Sequence, residues 1–308
     1  MYLEQETYNE IKKSFPINAV ELLVFDQNNR ILLFKRQNEP ARGQWWVPGG
    51  RILFGESRKE AAKRLLKDEC GLSPSEMAQI AVLEYSVKNT SEKYDQHIIS
   101  TVFRVKSEVS VVEIDSQTSE YKWADALDWA SEVEHDFIKH LLTAQVDKHP
   151  ASFIHVEPDS PEQKNFIRAE LYNVIVGSMA VHCVDLFVRN SKGEILLVKR
   201  NNHPAKGEWW VPGGRVHFME LRSTAARRKL SQECGLKGKI LRQGGSYDLF
   251  LKGEEGALYH VVSTLFHVEA EDLGCVKIDE QSSEYTWMHP DDIRKLSQQE
   301  FMHKILEE

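Results

Sequence analysis

Gly43-Gln-Trp-Trp-Val-Pro-Gly-Gly-Arg51 recurs as Gly207-Glu-Trp-Trp-Val-Pro-Gly-Gly-Arg215, at an offset of 164 residues. The repetition extends well beyond that stretch. Tyr8-Asn9 returns as Tyr172-Asn173, Lys35-Arg36 as Lys199-Arg200, and Ser119-Glu120-Tyr121 as Ser283-Glu284-Tyr285. From Gly43 to Leu72, 19 of 30 positions are identical to Gly207–Leu236. A period this long marks a duplicated domain, because solenoid repeats run only to roughly 20–50 residues. The 308 residues then divide into a first copy, 1–144, a polar linker with three prolines, 145–164, and a second copy, 165–308. A unit of that size can bury its own core. A near-constant offset and a linker of this length also lead us to expect that the copies pair as an intramolecular pseudo-dimer.

Composition narrows the function classes. With 39 Lys and Arg against 47 Asp and Glu the net charge is −8. That argues against a nucleic-acid partner, which calls for a basic face. The opening Met-Tyr-Leu-Glu-Gln-Glu has neither a basic nor an apolar leader region, so no signal peptide is expected. No apolar run approaches the ~20 residues that span a membrane. Cys70, Cys183, Cys234 and Cys275 form no CxxC pair, and Cys70 and Cys234 are equivalent positions in the two copies. They read as small core residues, and a reducing cytoplasm is the expected setting.

Periodicity places an amphipathic helix at the start of each copy, near 3–13 and 167–177. Strands follow at 20–25 and 31–35, then at 80–87 and 97–105 after a central helix, with a last short strand bearing Tyr121 and Trp123. The second copy repeats this at 184–188, 195–199, 247–251 and 260–268, and each copy closes on a helix. The pattern predicts an α/β fold in which each sheet is covered on both faces. Of each tryptophan pair, 45–46 and 209–210, one ring should enter the core, because neighbours on a strand face opposite ways.

The central helix carries the chemistry. Pro48-Gly49-Gly50 breaks regular structure and lets backbone approach a ligand closely. A helix is then predicted from about Ser57 to Cys70, with Ser57 and Glu60 at capping-box spacing and Gly71 as its stop. Ala62, Leu65, Leu66 and Glu69 share a face, so a carboxylate lies in line with the buried stripe. Arg64 is four residues from both Glu60 and Asp68 and is expected to bridge one of them. Alone, such a helix is an ordinary surface helix. The glycine turn, and the retention of Glu69 as Glu233 on the apolar stripe, favour a metal site instead, because a charge placed there needs a metal or a partner. Mg²⁺, with Mn²⁺ as an alternative, suits oxygen ligands completed by substrate phosphate.

These residues resemble the Nudix hydrolase family, whose signature is G-x5-E-x7-R-E-U-x-E-E-x-G-U with U a bulky aliphatic. The first copy supplies Gly50, Glu56, Arg64, Leu65, Leu66, Asp68, Glu69, Gly71 and Leu72. The second supplies Gly214, Glu220, Arg228, Lys229, Leu230, Gln232, Glu233, Gly235 and Leu236. The resemblance implies two tandem α/β/α sandwich domains with mixed sheets. The first glutamate of the R-E-U triplet is absent from both copies, and the penultimate one is Asp68 or Gln232. GDP-mannose mannosyl hydrolases share these two losses, and the likeness runs through the early helix, the Lys-Arg-x-Asn-x-Pro-Ala run and the Trp-Trp-Val-Pro-Gly-Gly-Arg stretch.

By that resemblance, Arg36, Arg51, Arg200 and Arg215 contact a nucleotide diphosphate, and Glu21 and Asp185 face the nucleotide. The metal falls to Gly50, Asp68, Glu69 and Gln117 in the first copy and to Gly214, Glu233 and Gln281 in the second. The mannosyl hydrolases carry a histidine base where Thr118 and Ser282 stand here, and a hydroxyl of ordinary acidity is no base near neutral pH. Glu120 and Glu284 are therefore candidate bases, weighed against a reading as solvated strand residues. His97 and His260 read as structural. The expected activity is Mg²⁺-dependent hydrolysis of a nucleotide sugar such as GDP-mannose. Alternatives are a nucleoside triphosphate pyrophosphohydrolase and a non-catalytic nucleotide sensor. The first copy is expected to be the more active, because Asp68 accompanies Glu69 whereas Gln232 and Lys229 accompany Glu233.

Overall fold

The computed structural model describes residues 3–91, 93–114, 116–147, 154–155, 167–271, 276–297 and 299–308. Cys275 and most of the 145–164 stretch lie outside them. The chain separates into two compact units, Met1–Lys164 and Asn165–Glu308.

The first unit runs α1 (Gln5–Lys12), β1 (Ile17–Phe25), β2 (Ile31–Arg36), β3 (Trp45–Trp46), β4 (Gly49–Arg51), α2 (Arg58–Cys70), β5 (Glu76–Asn89), β6 (Tyr94–Lys106), β7 (Thr118–Ala124), α3 (Ala126–Glu132), α4 (Asp136–Asp147) and β8 (Ile154–His155). The strands join in the order β3-β2-β1-β6-β5-β8, with β4 on β1 and β7 on β2. β1 pairs with β6 in parallel and with β2 and β4 antiparallel, so the sheet is mixed. Every residue of β1 is buried, which requires cover on both faces. Helix α4 runs past the expected end of the copy, and Ile154–His155 pairs with β5 as an added edge strand, within what the sequence suggested was linker.

The second unit repeats the plan: α5 (Ala169–Ser178), β9 (Val181–Arg189), β10 (Ile195–Arg200), β11 (Trp209–Trp210), β12 (Gly213–Arg215), α6 (Arg222–Cys234), β13 (Gly238–Lys252), β14 (Leu258–Ala270), β15 (Ser282–Met288), α7 (Pro290–Leu296) and α8 (Glu300–Ile305). Its sheet order is β11-β10-β9-β14-β13, with β12 on β9 and β15 on β10.

The central helices form as the sequence dictates. Ser57 and Glu60 close a reciprocal capping box, and Gly71 ends α2 at φ 66°. α2 buries Ala61, Ala62, Leu65, Leu66 and Cys70 against the sheet. Cys234 is likewise fully buried, and Cys70, Cys183 and Cys234 are free thiols. Trp46 and Trp210 enter the cores: Trp46 lies beside Phe137, and Trp210 stacks on Phe301 at 5.2 Å. Trp45 packs instead against Trp129 at 4.9 Å. No helix among the described residues is long and apolar enough to cross a membrane.

Candidate active sites

Each site begins where β1 or β9 meets the glycine turn. Glu21 lies opposite Gly49 across the β1–β4 pair and is buried. A Cβ on Gly49 would come within 2.4 Å of both Glu21 Oε2 and the Val20 carbonyl, so only glycine permits this approach. The Tyr85 hydroxyl donates to Glu21 Oε1 at 2.6 Å. Burial outweighs that bond and the nearby Arg36 charge, pushing the Glu21 carboxyl up to about 8. Asp185 repeats the arrangement opposite Gly213. It accepts hydrogen bonds from the Ser263 hydroxyl and from Trp210 Nε1, and burial pushes it up to about 6.

The turn is tied to the helix by the last carboxylate of the signature. Gly49 N donates to Glu69 Oε2 and Gly213 N to Glu233 Oε2, each at 3.0 Å. The signature arginine makes a second tie, and here the expected partner is wrong. Arg64 bridges neither Glu60 nor Asp68. It forks onto Glu56 at 2.7 and 2.9 Å and donates to the Arg51 carbonyl at 3.1 Å. Glu60 is already engaged by Ser57 in the capping box. Arg228 clasps Glu220 and the Arg215 carbonyl in the same way.

The arginines proposed for diphosphate are held from behind. Arg36 Nε donates to the Pro40 carbonyl and Arg200 Nε to the Pro204 carbonyl, both at 2.9 Å. The Arg51 guanidinium lies 4.7 Å from the Tyr8 ring centre, and Arg215 lies 4.8 Å from that of Tyr172. Duplication of Tyr8 as Tyr172 was the sequence signal for this support. The partner of Glu21, Tyr85, left no such mark.

A cavity of about 630 Å³ in the first unit brings together Glu21, Arg36, Gly50 and Arg51 with Asp68, Glu69, Gln117 and Thr118. The second unit encloses about 560 Å³ around Asp185, Arg200, Gly214 and Arg215 with Glu233, Gln281 and Ser282. Glu120 and Glu284 line neither cavity. A β-bulge is the reason. Arg36 pairs with Thr118 but Lys35 with Glu120, leaving Ser119 as the extra residue; Arg200, Ser282, Lys199 and Glu284 repeat this. In a regular strand Thr118 and Glu120 would share a face. The bulge sends Glu120 to the side of Lys35, where it is exposed and forms an ion pair, as Glu284 does with Lys199. His97 is buried outside its cavity, whereas His260 lines the second one.

Donor chemistry distinguishes the two copies. In the first, Glu69 Oε1 lies 3.8 Å from where a Cβ on Gly50 would stand. The carboxylates of Glu69 and Asp68, the Gly50 carbonyl and the Gln117 amide oxygen are all hard oxygen donors around one cavity. No cluster of three or more His, Cys, Asp or Glu with metal-ligand spacing occurs among the described residues. That small carboxylate complement still fits an ion such as Mg²⁺, which takes one or two carboxylates and completes its shell with phosphate and water. The second copy does not fit. Lys229 turns inward and its Nζ sits 2.7 Å from Glu233 Oε1, so an ammonium already holds the carboxylate the metal would need. His217, which also lines this cavity and was not singled out in the sequence, is driven down to about 4 by burial and by the Arg228 charge.

The sequence matches the NUDIX domain family over residues 16–144 and 179–308. Among curated relatives, a low-salt glycan biosynthesis protein, Agl8, of Haloferax volcanii is 28% identical over 122 residues, covering 39% of this chain and 78% of that protein. An ADP-ribose pyrophosphatase of Methanocaldococcus jannaschii is 38% identical over 88 residues, covering 29% of this chain and 49% of that protein. Among solved structures, the NUDIX domain of Shewanella oneidensis NrtR complexed with ADP ribose matches with a TM-score of 0.38 at 17% identity, covering 47% of this chain and 99% of that one.

Proposed function

The chain belongs to the Nudix family of hydrolases through both of its units, and from that premise we propose that the first unit hydrolyses a nucleoside diphosphate linked to a sugar, with GDP-mannose as the leading candidate and Mg²⁺ as the metal. The observation that carries this reading is the convergence of Arg36, Arg51 and Glu69 with the Gly49-Gly50 turn on one cavity. Two guanidiniums suit the two phosphates of a diphosphate, and each is fixed before the ligand arrives, by the Pro40 carbonyl and by the Tyr8 ring. The name of one curated relative, ADP-ribose pyrophosphatase, is in keeping with this class, since ADP-ribose is itself a nucleoside diphosphate joined to a sugar.

Glu69, Asp68, Gly50 and Gln117 would hold the metal, which when bound polarises a phosphate oxygen. The chain's own groups do the rest. Arg36 and Arg51 neutralise charge that builds on the phosphates as the bond breaks. Glu21, largely protonated at neutral pH, offers a hydrogen-bond donor to the ligand's base or ribose. Thr118 stands where the mannosyl hydrolases carry their basic histidine, which favours attack of water at phosphorus over attack at the sugar carbon. Water oxygen then joins one phosphorus, the bridging P–O bond breaks, and nucleoside monophosphate and sugar phosphate leave.

The test is a panel of nucleotide sugars and nucleoside triphosphates with Mg²⁺ in ¹⁸O-water. The label is expected in a phosphate of the products of a nucleotide sugar. Label on the sugar carbon would overturn the site of attack, and exclusive turnover of triphosphates would overturn the substrate class.

A further inference from the structure

Two signature positions differ in chemical kind inside the cavities: Asp68 is Gln232 in the second copy, and Leu65 is Lys229, which brings a cation into the site. The lysine side chain is only 11% exposed and its partner Glu233 only 8%. Its end runs directly beneath the glycine turn. A Cβ on Gly214 would lie 2.4 Å from Lys229 Cε and 2.6 Å from Nζ, and Gly214 adopts φ 153°, a conformation with positive φ that Gly50 does not share. The ammonium thus sits between the Gly214 backbone and the Glu233 carboxylate, the two groups that would otherwise supply metal ligands. A buried ammonium needs such a partner, and Glu233 Oε1 is already engaged by it while Oε2 accepts from Gly213 N.

The charge lining each cavity points the same way. In the first unit four cationic side chains, those of Lys12, Arg36, Arg51 and Arg64, face four carboxylates. In the second, Arg200, Arg215, Arg228 and Lys229 face only Asp185 and Glu233. With Glu21 largely protonated, the first cavity carries a surplus of one positive charge. The second carries two, with the Lys229 ammonium placed against the glycine turn.

We infer that Lys229 is a built-in cation, so that the second unit takes the diphosphate of its ligand without a metal, while the first depends on one. The inference rests on the reading of both cavities as diphosphate sites. It makes the second unit a binding site that stays competent when metal is removed, and it confines divalent-metal binding to the first.

Two titrations of the full chain test this. The first counts tight Mn²⁺ sites by electron paramagnetic resonance. One site is expected in the wild type and in Glu233→Gln, and none in Glu69→Gln. The double variant Lys229→Leu/Gln232→Asp rebuilds the first unit's Leu65, Asp68 and Glu69 and should gain a site. A wild-type count of two that falls to one in Glu233→Gln overturns the inference, as does a double variant that gains nothing. A wild-type count of zero overturns the metal reading of the first unit, and with it the contrast between the two units, and leaves the role of Lys229 to be decided by the second titration.

The second titration follows inorganic pyrophosphate by calorimetry in EDTA. One equivalent should bind, unaffected by Glu69→Gln and weakened by about tenfold or more in Lys229→Leu, the effect of one charge-assisted hydrogen bond. Pyrophosphate that binds only when Mn²⁺ is present overturns the role of Lys229. Absence of binding with and without Mn²⁺ overturns the diphosphate reading on which it stands.

Discussion

Arg64 forks onto Glu56 across eight residues of sequence, with Nε and Nη2 donating to the two carboxylate oxygens at 2.7 and 2.9 Å. Because Nη2 also donates to the Arg51 carbonyl, this pair clamps the glycine turn to α2. Arg64→Ala should destabilise the first unit by about 1.5–3 kcal/mol, the range for hydrogen bonds to charged groups, which is several degrees of melting temperature for a domain this size. Arg64→Lys keeps the charge but loses the fork and should recover only part of it. Thermal unfolding of the three proteins decides the matter; an alanine variant that melts with the wild type would remove the clamp from the account.

Tyr8 supports Arg51 through its ring face, 4.7 Å from the guanidinium, and through its hydroxyl, which shares a hydrogen bond with the Arg51 side chain. Tyr8→Phe loses the hydroxyl bond but keeps the ring, and should raise KM less than removal of the whole side chain. Tyr8→Ala should raise KM by about two- to fivefold, matching a cation–π contact of roughly 0.5–1 kcal/mol. Steady-state rates on the best substrate of the panel provide the comparison, and equal KM values for both variants would contradict a role for the ring.

Glu120 and Glu284 lie outside the cavities, on the side of Lys35 and Lys199. Glu120→Gln and Glu284→Gln should each keep kcat within about twofold, since general-base assistance, which is worth ~10²–10⁴, is not theirs to lose. A hundredfold fall in either would return the residue to the chemistry.

Glu21 titrates at about 8 in the fold, well above an unfolded glutamate. A raised carboxyl pKa means that the folded state holds a proton the unfolded chain releases. Stability of the first unit is therefore greatest below about pH 4.5 as far as this group is concerned, and falls as pH rises toward 8, by up to about 1.4 kcal/mol per pH unit. Glu21→Gln should flatten that fall and be the more stable protein at pH 9. Denaturant unfolding between pH 5 and 9 measures it, and parallel curves for the two proteins would refute the shift.

Much of this was legible in the residues. The 164-residue offset revealed two like units, and Ser57, Glu60 and Gly71 marked the ends of α2 because capping is local chemistry. Glu69 and Glu233 were recognisable by type and spacing on their helices, and Arg36, Arg51, Glu21 and their counterparts through the family resemblance. What escaped was whatever depended on a partner distant in sequence or on a local irregularity. Arg64 found Glu56 because Ser57 had already taken Glu60. The bulge at Lys35 and Arg36 turned Glu120 away from Thr118, and nothing in the alternation of that strand announces it. The direction of Lys229 was also hidden. A lysine on a helix is ordinarily solvated, and only the packed neighbours of α6 show that this one points inward.

The central claim is that metal-dependent chemistry belongs to the first unit alone, because Lys229 holds Glu233 whereas Leu65 takes that position beside Glu69. The most direct measurement is Mg²⁺-dependent turnover of Glu69→Gln and Glu233→Gln on the same substrate, across a range of Mg²⁺ concentrations. Glu69→Gln should lose activity by about a hundredfold or more, as expected on removal of a metal ligand, while Glu233→Gln keeps the wild-type Mg²⁺ dependence. Loss of Mg²⁺-dependent turnover in Glu233→Gln with Glu69→Gln fully active would contradict the account.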